Sequence, residues 1–235
     1  MENSKSFMIK NTVYSHSSYF DVLEIFLEQW NLFYGEDITV FADKKYKDYN
    51  TIIYDDKLIY TERLIQCLES TDCDILLYQH EDMFLYKEPN CKKLKDYEKI
   101  LNNSNNSFIR LTKAGACNFS KSHLCETLLN ISKDSKNFFA VQSTLWKKVD
   151  LIKFLKAAGS LNIWDLEWTS TNINSKAGLS GLSHFDHEPP RGGHFDSNMW
   201  PYIATAINKG KWNFGEYEKE FSKIDKVLNN KRPRY

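Results

Sequence analysis

The sequence predicts an α/β protein with a central, mostly parallel sheet flanked by helices. Short apolar, β-branched runs alternate with helix-periodic segments at intervals that imply crossover connections. The 235 residues, 42% hydrophobic and 14% aromatic, suffice for one sizeable core. Polar residues collect just after the strand-like runs, where such a sheet opens its binding crevice.

Phe7 to Ser15 reads as the first strand. From Tyr19 to Phe33 a helix follows, with Phe20, Leu23, Phe26, Leu27 and Trp30 at helical spacing and Gly35 at its end. Ile38 to Phe41 is a second strand with Asp43 just beyond it. Asp56 to Tyr60 leads into a helix from Thr61 to Glu69, capped by Thr61, and then comes the strand Ile75 to Tyr78. A charged helix spans Cys91 to Leu101, an Asn-rich loop Asn102 to Asn106, and a strand Ser107 to Leu111. Phe138 to Val141 reads as another short strand, and Leu145 to Ala158 as a helix closed by Gly159. Gly178 to His194 holds four glycines, two prolines and three histidines, which is loop composition dense in polar donors. A last helix is expected from Pro201 to Ile207, with proline in its first turn and Gly210 as a C-cap. No repeat or linker interrupts the pattern, so residues 1–235 are expected to form a single domain.

Lys plus Arg and Asp plus Glu cancel at 31 each, so no broad basic face is available and nucleic acid is disfavoured as a partner. The basic tail Lys231-Arg232-Pro233-Arg234 reads as a solvated end. Cysteines at 67, 73, 91, 117 and 125 are odd in number and lack a CxxC pair, which excludes a zinc ribbon and a disulfide framework and fits a reducing compartment. The polar N-terminus lacks a following apolar run, and no stretch approaches the roughly 18 apolar residues of a membrane span. A soluble, cytoplasmic protein is expected, in the host cytoplasm if viral; abundant Asn, Lys, Ile and Tyr fit an AT-rich genome of a virus or low-GC microbe.

The run Asp74-Ile-Leu-Leu-Tyr-Gln-His80-Glu81-Asp82-Met83 carries the most chemistry, because an apolar strand delivers adjacent carboxylates to the sheet's edge. Such carboxylates suit a hard cation, Mg²⁺ or Mn²⁺, which can in turn hold a diphosphate. An ordinary acidic strand end fits this segment alone equally well.

Four pieces together resemble the small metal-dependent glycosyltransferases of the GT-A fold, as found in bacterial surface-polysaccharide clusters and large DNA viruses. They are Tyr60 to Leu68, Ile75 to Phe84, Phe139 to Trp146 through Trp164-Asp165-Leu166-Glu167, and Pro201 to Asn213. The resemblance spans most of the chain. It implies a GT-A-like domain whose nucleotide-binding half, 1–90, ends in the metal motif, with 91–235 as the acceptor half and C-terminal loop. It implies a nucleoside-diphosphate sugar donor, UDP- or GDP-linked, a glycan or glycosylated acceptor, and Mn²⁺ or Mg²⁺ as cofactor. One departure stands out: the family's Asp-x-Asp is here His80-Glu81-Asp82.

In that frame Asp82 binds the cation, Glu81 assists it or contacts the ribose, and His80 is an alternative nitrogen ligand. His194, after Arg191-Gly192-Gly193, is a candidate C-terminal metal ligand, since neutral imidazole suits Mn²⁺. Arg63 suits phosphate or a base carbonyl through its forked guanidinium. Asp43, with Ser15 and Tyr14, is expected to line the base and ribose pocket, and Arg191, Asp196 and Ser197 to contact donor phosphate or acceptor. Inversion needs a carboxylate opposite the leaving group; Glu167 is the candidate base, Asp165 its substitute, and Trp164 and Trp168 a floor for a sugar ring. Two alternatives stay open: a metal-dependent phosphoester hydrolase, although HxH and HExxH motifs are missing, and a catalytically inactive fold that only binds nucleotide or carbohydrate.

Overall fold

The computed structural model describes residues 8–113, 117–191, 193–224, 228, 232 and 233. Expectations that rest on Met1–Phe7, Gly192, Lys231 or Arg234 fall outside them. Strand β1 (Ile9–Tyr14) leads through a 3₁₀ turn at Ser17–Tyr19 into α1 (Phe20–Phe33), then β2 (Ile38–Ala42), β3 (Thr51–Ile53), α2 (Tyr60–Glu69) and β4 (Ile75–His80). Next come α3 (Cys91–Asn103), β5 (Phe108–Arg110), β6 (Phe119–Lys121), β7 (Leu128–Ile131), β8 (Thr144–Lys147), α4 (Lys148–Ala158), α5 (Ile163–Trp168), α6 (Ser170–Ala177) and β9 (Gly181–His184). Two small hairpins, β10 (Pro190–Arg191) with β11 (His194–Phe195) and β12 (Ile207–Asn208) with β13 (Lys211–Trp212), precede α7 (Phe214–Ile224).

Nine strands form one sheet in the order β3-β2-β1-β4-β8-β5-β9-β7-β6. β1, β2, β3 and β4 pair in parallel, as do β5 and β9; β8 and β7 run against their neighbours, so the other seven strands share one direction. The expected α/β architecture with a mostly parallel sheet is therefore the observed one. Alternation along each strand divides the core between two faces, the period-2 consequence of the pleat. Val13, Val40 and Leu77 pack with α1 and α3 on one side, while Tyr14, Phe41, Leu76 and Tyr78 pack with α2 and α4 on the other.

Five local expectations are corrected. Thr61 lies inside α2, where its hydroxyl donates to the Gly159 carbonyl at 2.7 Å; the Glu62 carboxylate accepts the Ile59 N–H at the helix start instead. Residues 138–141 form a loop, and the apolar run from Leu145 begins as strand β8, slotted between β4 and β5, before α4 starts at Lys148. Residues 201–206 are not helical, because two of their N–H groups are taken by the chain beyond β4: Ile203 donates to Phe84 O at 2.8 Å and Ala206 to Asp82 O at 2.9 Å. Gly210 (φ +76°) and Lys209 (φ +49°) turn the β12–β13 hairpin rather than capping a helix.

Candidate active site

The parallel strands align Tyr14 with Phe41 and with His80, so the chain leaves β1, β2 and β4 at one level of the sheet's carboxyl edge. Two clusters form there. In the first, the His16, Asp43 and Asp56 ligand atoms lie within 4.8 Å of one another. Asp43 accepts the Ser17 N–H at 2.5 Å and the Ser17 hydroxyl at 2.6 Å. Burial works against its ionisation, but these two bonds and His16 outweigh it and hold the carboxyl below its usual range. Asp56 Oδ1 lies 3.2 Å from His16 Nε2 and 2.9 Å from Arg63 Nη2. Arg63 lies over the Tyr54 ring, Tyr54 stacks on Tyr14 at 5.3 Å, and Tyr14 on His80 at 5.2 Å, a column that runs from the first cluster towards the second. Ser15 is buried in the floor of this cluster, its carbonyl accepting the Tyr54 hydroxyl at 2.7 Å.

The second cluster begins with Glu81 and Asp82, which leave β4 in a tight turn closed by Met83 N–H to His80 O at 3.1 Å. Burial, with the charge of Glu167 added, pushes the Asp82 carboxyl up to about 7 despite N–H groups of Asp82 and Ile207 facing it. Burial and the adjacent Asp82 push Glu81 well above the carboxylate range, and Glu81 Oε2 is buried without a hydrogen-bond partner. Two neighbouring carboxylates short of counter-charge, one with an orphaned oxygen, fit a hard divalent cation that completes its shell with phosphate oxygens. His80 does not contribute to such a shell. Its Nε2 lies 2.8 Å from the Tyr78 hydroxyl and 3.0 Å from that of Tyr60, inside the core, where burial drives its pKa to about 3 and keeps it neutral.

Glu167 approaches this cluster from α5. Its Oε1 accepts the Val141 N–H at 2.6 Å, and burial raises its pKa against the opposing effects of that bond and of Arg110. Asp165 instead faces solvent and closes the start of α5, its carboxylate accepting from Asn162 Nδ2 at 2.6 Å and its N–H donating to Asn162 Oδ1 at 2.9 Å. Trp164 and Trp168 stand 70% and 83% exposed, so they are not core tryptophans. Among the described residues, Glu81, Asp82 and His194 do not bring three ligand atoms within the spacing seen at His16, Asp43 and Asp56. His194 is held by Gln142, whose Nε2 is 2.8 Å from Nδ1, with Thr205 Oγ1 at 3.5 Å from Nε2. With the Gln142 amide donating to Nδ1, the proton of the neutral imidazole resides on Nε2; turning the amide over reverses the tautomer and frees the Nε2 lone pair.

Arg191 is neutralised within the fold by Asp196 and Glu220, each at 2.9 Å, and lies over the Tyr217 ring. Ser197 is buried, accepting from the Met199 and Trp200 N–H groups at 3.2 Å. Of the basic tail, the described Arg232 and Pro233 are not a solvated end: Arg232 grips Asp21 at 2.6 and 2.8 Å, donates to Ser18 O at 3.2 Å and lies over Tyr19, while Pro233 O accepts the Trp212 N–H at 2.9 Å. Its charge also opposes the raised proton affinity of Glu81. Sequence reasoning missed His16, Asp56, Arg110, Gln142 and Arg232. His16 and Asp56 carried one signal, polar residues next to Ser15 and ahead of Arg63; the others act through contacts distant in sequence.

No protein-family model and no curated protein sequence matches the chain. Among solved structures, S. aureus TarS is similar over 94% of this chain, with a TM-score of 0.50 and 10% identity; the chain spans 39% of that protein's length. The mannosyltransferase PcManGT from Pyrobaculum calidifontis, in complex with GDP-Man and Mn²⁺, is similar over 98% of this chain and 67% of its own, with a TM-score of 0.48 and 9% identity. A Methanothermobacter nucleotidyl transferase covers 77% of this chain and 88% of its own, at a TM-score of 0.45 and 11% identity. The likeness shows the fold alone.

Proposed function

We propose that the protein is a metal-dependent glycosyltransferase that moves a sugar from a nucleoside-diphosphate sugar, UDP- or GDP-linked, to a glycan or glycosylated acceptor with inversion. The observation that carries this reading is the pair Glu81 and Asp82: half-buried, pushed towards protonation, one oxygen orphaned, on the same sheet edge as the Asp43 and Arg63 cluster. The neighbour bound to GDP-Man and Mn²⁺ is consistent with it. Residues 1–235 act as one GT-A-like domain, with 1–90 holding the donor and 91–235 the acceptor, in the cytoplasm. Among the described residues no helix is long and apolar enough to cross a membrane.

Asp82 and Glu81 would hold Mn²⁺ or Mg²⁺, and His194, whose nitrogens do not lie with theirs in this structure, would join them only by moving towards the cation with the Gln142 amide turned. The cation supplies Lewis-acid stabilisation of the departing diphosphate. His16, Asp56 and Arg63 flank the base and ribose, and Asp43 fixes the turn that carries His16 by clamping Ser17. Arg63 keeps one face on Tyr54, which pre-orients its guanidinium. Glu167 is the base. Val141 N–H fixes Oε1, which leaves Oε2 to take the proton of the acceptor hydroxyl as its oxygen bonds to the anomeric carbon and the sugar–phosphate bond breaks, its electron pair leaving on the diphosphate. Burial raises the proton affinity of Glu167, in the direction a base at neutral pH requires. Trp164 and Trp168 offer exposed ring faces to the acceptor's sugar.

The test is product analysis: incubate the protein with UDP- and GDP-sugars, Mn²⁺ and glycan acceptors, and quantify nucleoside diphosphate and extended glycan. Both products should form in equal amounts with metal and neither with chelator. Release of inorganic phosphate from phosphoesters, without glycan extension, would favour the hydrolase.

A further inference from the structure

A cluster that none of these roles uses lies in the same half of the chain as Glu167 and His194. The Lys113 ammonium sits 4.4 Å from the Phe195 ring centre, 4.5 Å from Phe185 and 5.5 Å from Phe119. Phe185 and Phe195 meet edge to face at 6.0 Å, and the His187 ring packs on Phe185 at 4.6 Å. Lys113 and the three phenylalanines are all half-buried. Among the described residues Lys113 has ring faces around it but no carboxylate partner. Ring faces attract an ammonium by roughly 0.5–1 kcal/mol at exposed sites, yet leave its charge uncompensated.

The position matters as much as the composition. β5 and β9 run side by side in the direction of β4, so Lys113 and Phe185, which follow them, lie beyond the carboxyl edge that also carries Glu81 and Asp82. The Thr112 hydroxyl donates to Phe195 O at 2.6 Å, and Phe195 is the residue after His194. The cluster is thus tied to the strand that carries the candidate metal ligand.

We propose that Lys113, Phe119, Phe185 and Phe195 form an acceptor subsite for an anionic sugar, a glycosyl unit bearing a carboxylate or a phosphate. The proposal rests on the glycosyltransferase reading above. A pyranose has an apolar C–H face that packs on aromatic rings, and its charged substituent supplies the counter-charge Lys113 lacks. Phenylalanine rings offer no hydrogen bond to sugar hydroxyls, so selectivity here falls on charge. A cationic ligand would first have to expel Lys113.

The experiment measures binding of trigalacturonic acid, mannose 6-phosphate and neutral maltotriose by ligand-observed NMR, with nucleoside diphosphate and Mn²⁺ saturating the donor side. The wild-type protein should bind one anionic probe at least tenfold more tightly than maltotriose, and the preferred probe separates carboxylate from phosphate. Lys113→Met should lose that preference and Lys113→Arg keep it, both with unchanged melting temperature and nucleotide stabilisation. Equal binding of anionic and neutral probes by the wild type, or an unaltered preference in Lys113→Met, overturns the subsite. Absence of nucleotide stabilisation in the wild type would instead sink the donor reading, and the comparison of probes is then read without nucleotide.

Discussion

Asp82 bears opposing demands from folding and from its proposed role. A carboxyl whose folded pKa is raised to about 7 favours the folded state while protonated, so the metal-free protein should lose stability as pH rises from the unfolded value, roughly 3.9, towards 7. Asp82→Asn should therefore raise the melting temperature of the metal-free protein at pH 8, leave it nearly unchanged at pH 4, and abolish stabilisation by Mn²⁺ with nucleotide. Thermal unfolding at the two pH values checks this, and an equal effect at both would remove the buried-charge argument. Glu167→Gln keeps an oxygen for the Val141 N–H, so donor affinity should hold within about twofold while transfer falls about 10²–10⁴-fold, as expected for loss of a general base. Turnover at saturating donor reads this directly. The positions of Asp43, Glu81 and Asp82 beyond strands were legible because apolar runs end visibly. Whether Asp165 or Glu167 faces inward depends on the phase of a six-residue helix, too short to show a period. Arg191 reads in the sequence as a contact for donor phosphate or acceptor because one of its two ion-pair partners, Glu220, lies far along the chain.

The loop 137–142 organises several elements at once. Arg110, fully buried at the end of β5, donates from Nη2 to Phe138 O at 3.0 Å and Asn137 O at 3.3 Å, while Asn137 adopts φ +55°. From the same loop Val141 holds Glu167 and Gln142 holds His194. Arg110→Met would leave Phe138 O without its donor and Asn137 O with only the weak Cys117 thiol, an expected loss of about 1–3 kcal/mol measured by denaturant titration. Sequence pattern reads this loop as a strand because Phe138 and Phe139 are apolar, yet they are buried by side-chain packing rather than by sheet pairing. Gly181 shows a second hidden constraint: a Cβ there would lie 2.1 Å from the Phe108 ring, itself held 4.3 Å from Trp146. Gly181→Ala should cost about 1–3 kcal/mol through overpacking, which a melting curve resolves as a drop of several degrees. The segment 201–206, read from the sequence as a helix, is not helical because Ile203 and Ala206 donate to Phe84 and Asp82, and neither pairing leaves a trace in local sequence.

At the scale of the whole molecule, the alternation of strands and helices was enough to read the mostly parallel sheet and to locate its carboxyl edge, since crossover connections impose both. The strands β8 and β7, which run against the rest, were not legible, because four-residue strands carry too little periodicity. The carboxyl edge of the sheet gathers charged groups in two places, with His16, Asp43 and Asp56 beyond β1, β2 and β3 and Glu81 and Asp82 beyond β4. The central claim is that these two clusters bind one ligand, a nucleoside diphosphate through a cation. It is tested most directly by isothermal titration of GDP and UDP, with Mn²⁺ or with chelator, into the wild-type protein, Asp82→Asn and Arg63→Ala. One nucleotide should bind only with Mn²⁺, Asp82→Asn should lose this metal dependence, and Arg63→Ala should weaken binding about tenfold or more. Nucleotide binding indifferent to Mn²⁺ and to Asp82, or no binding of either nucleotide, would contradict it.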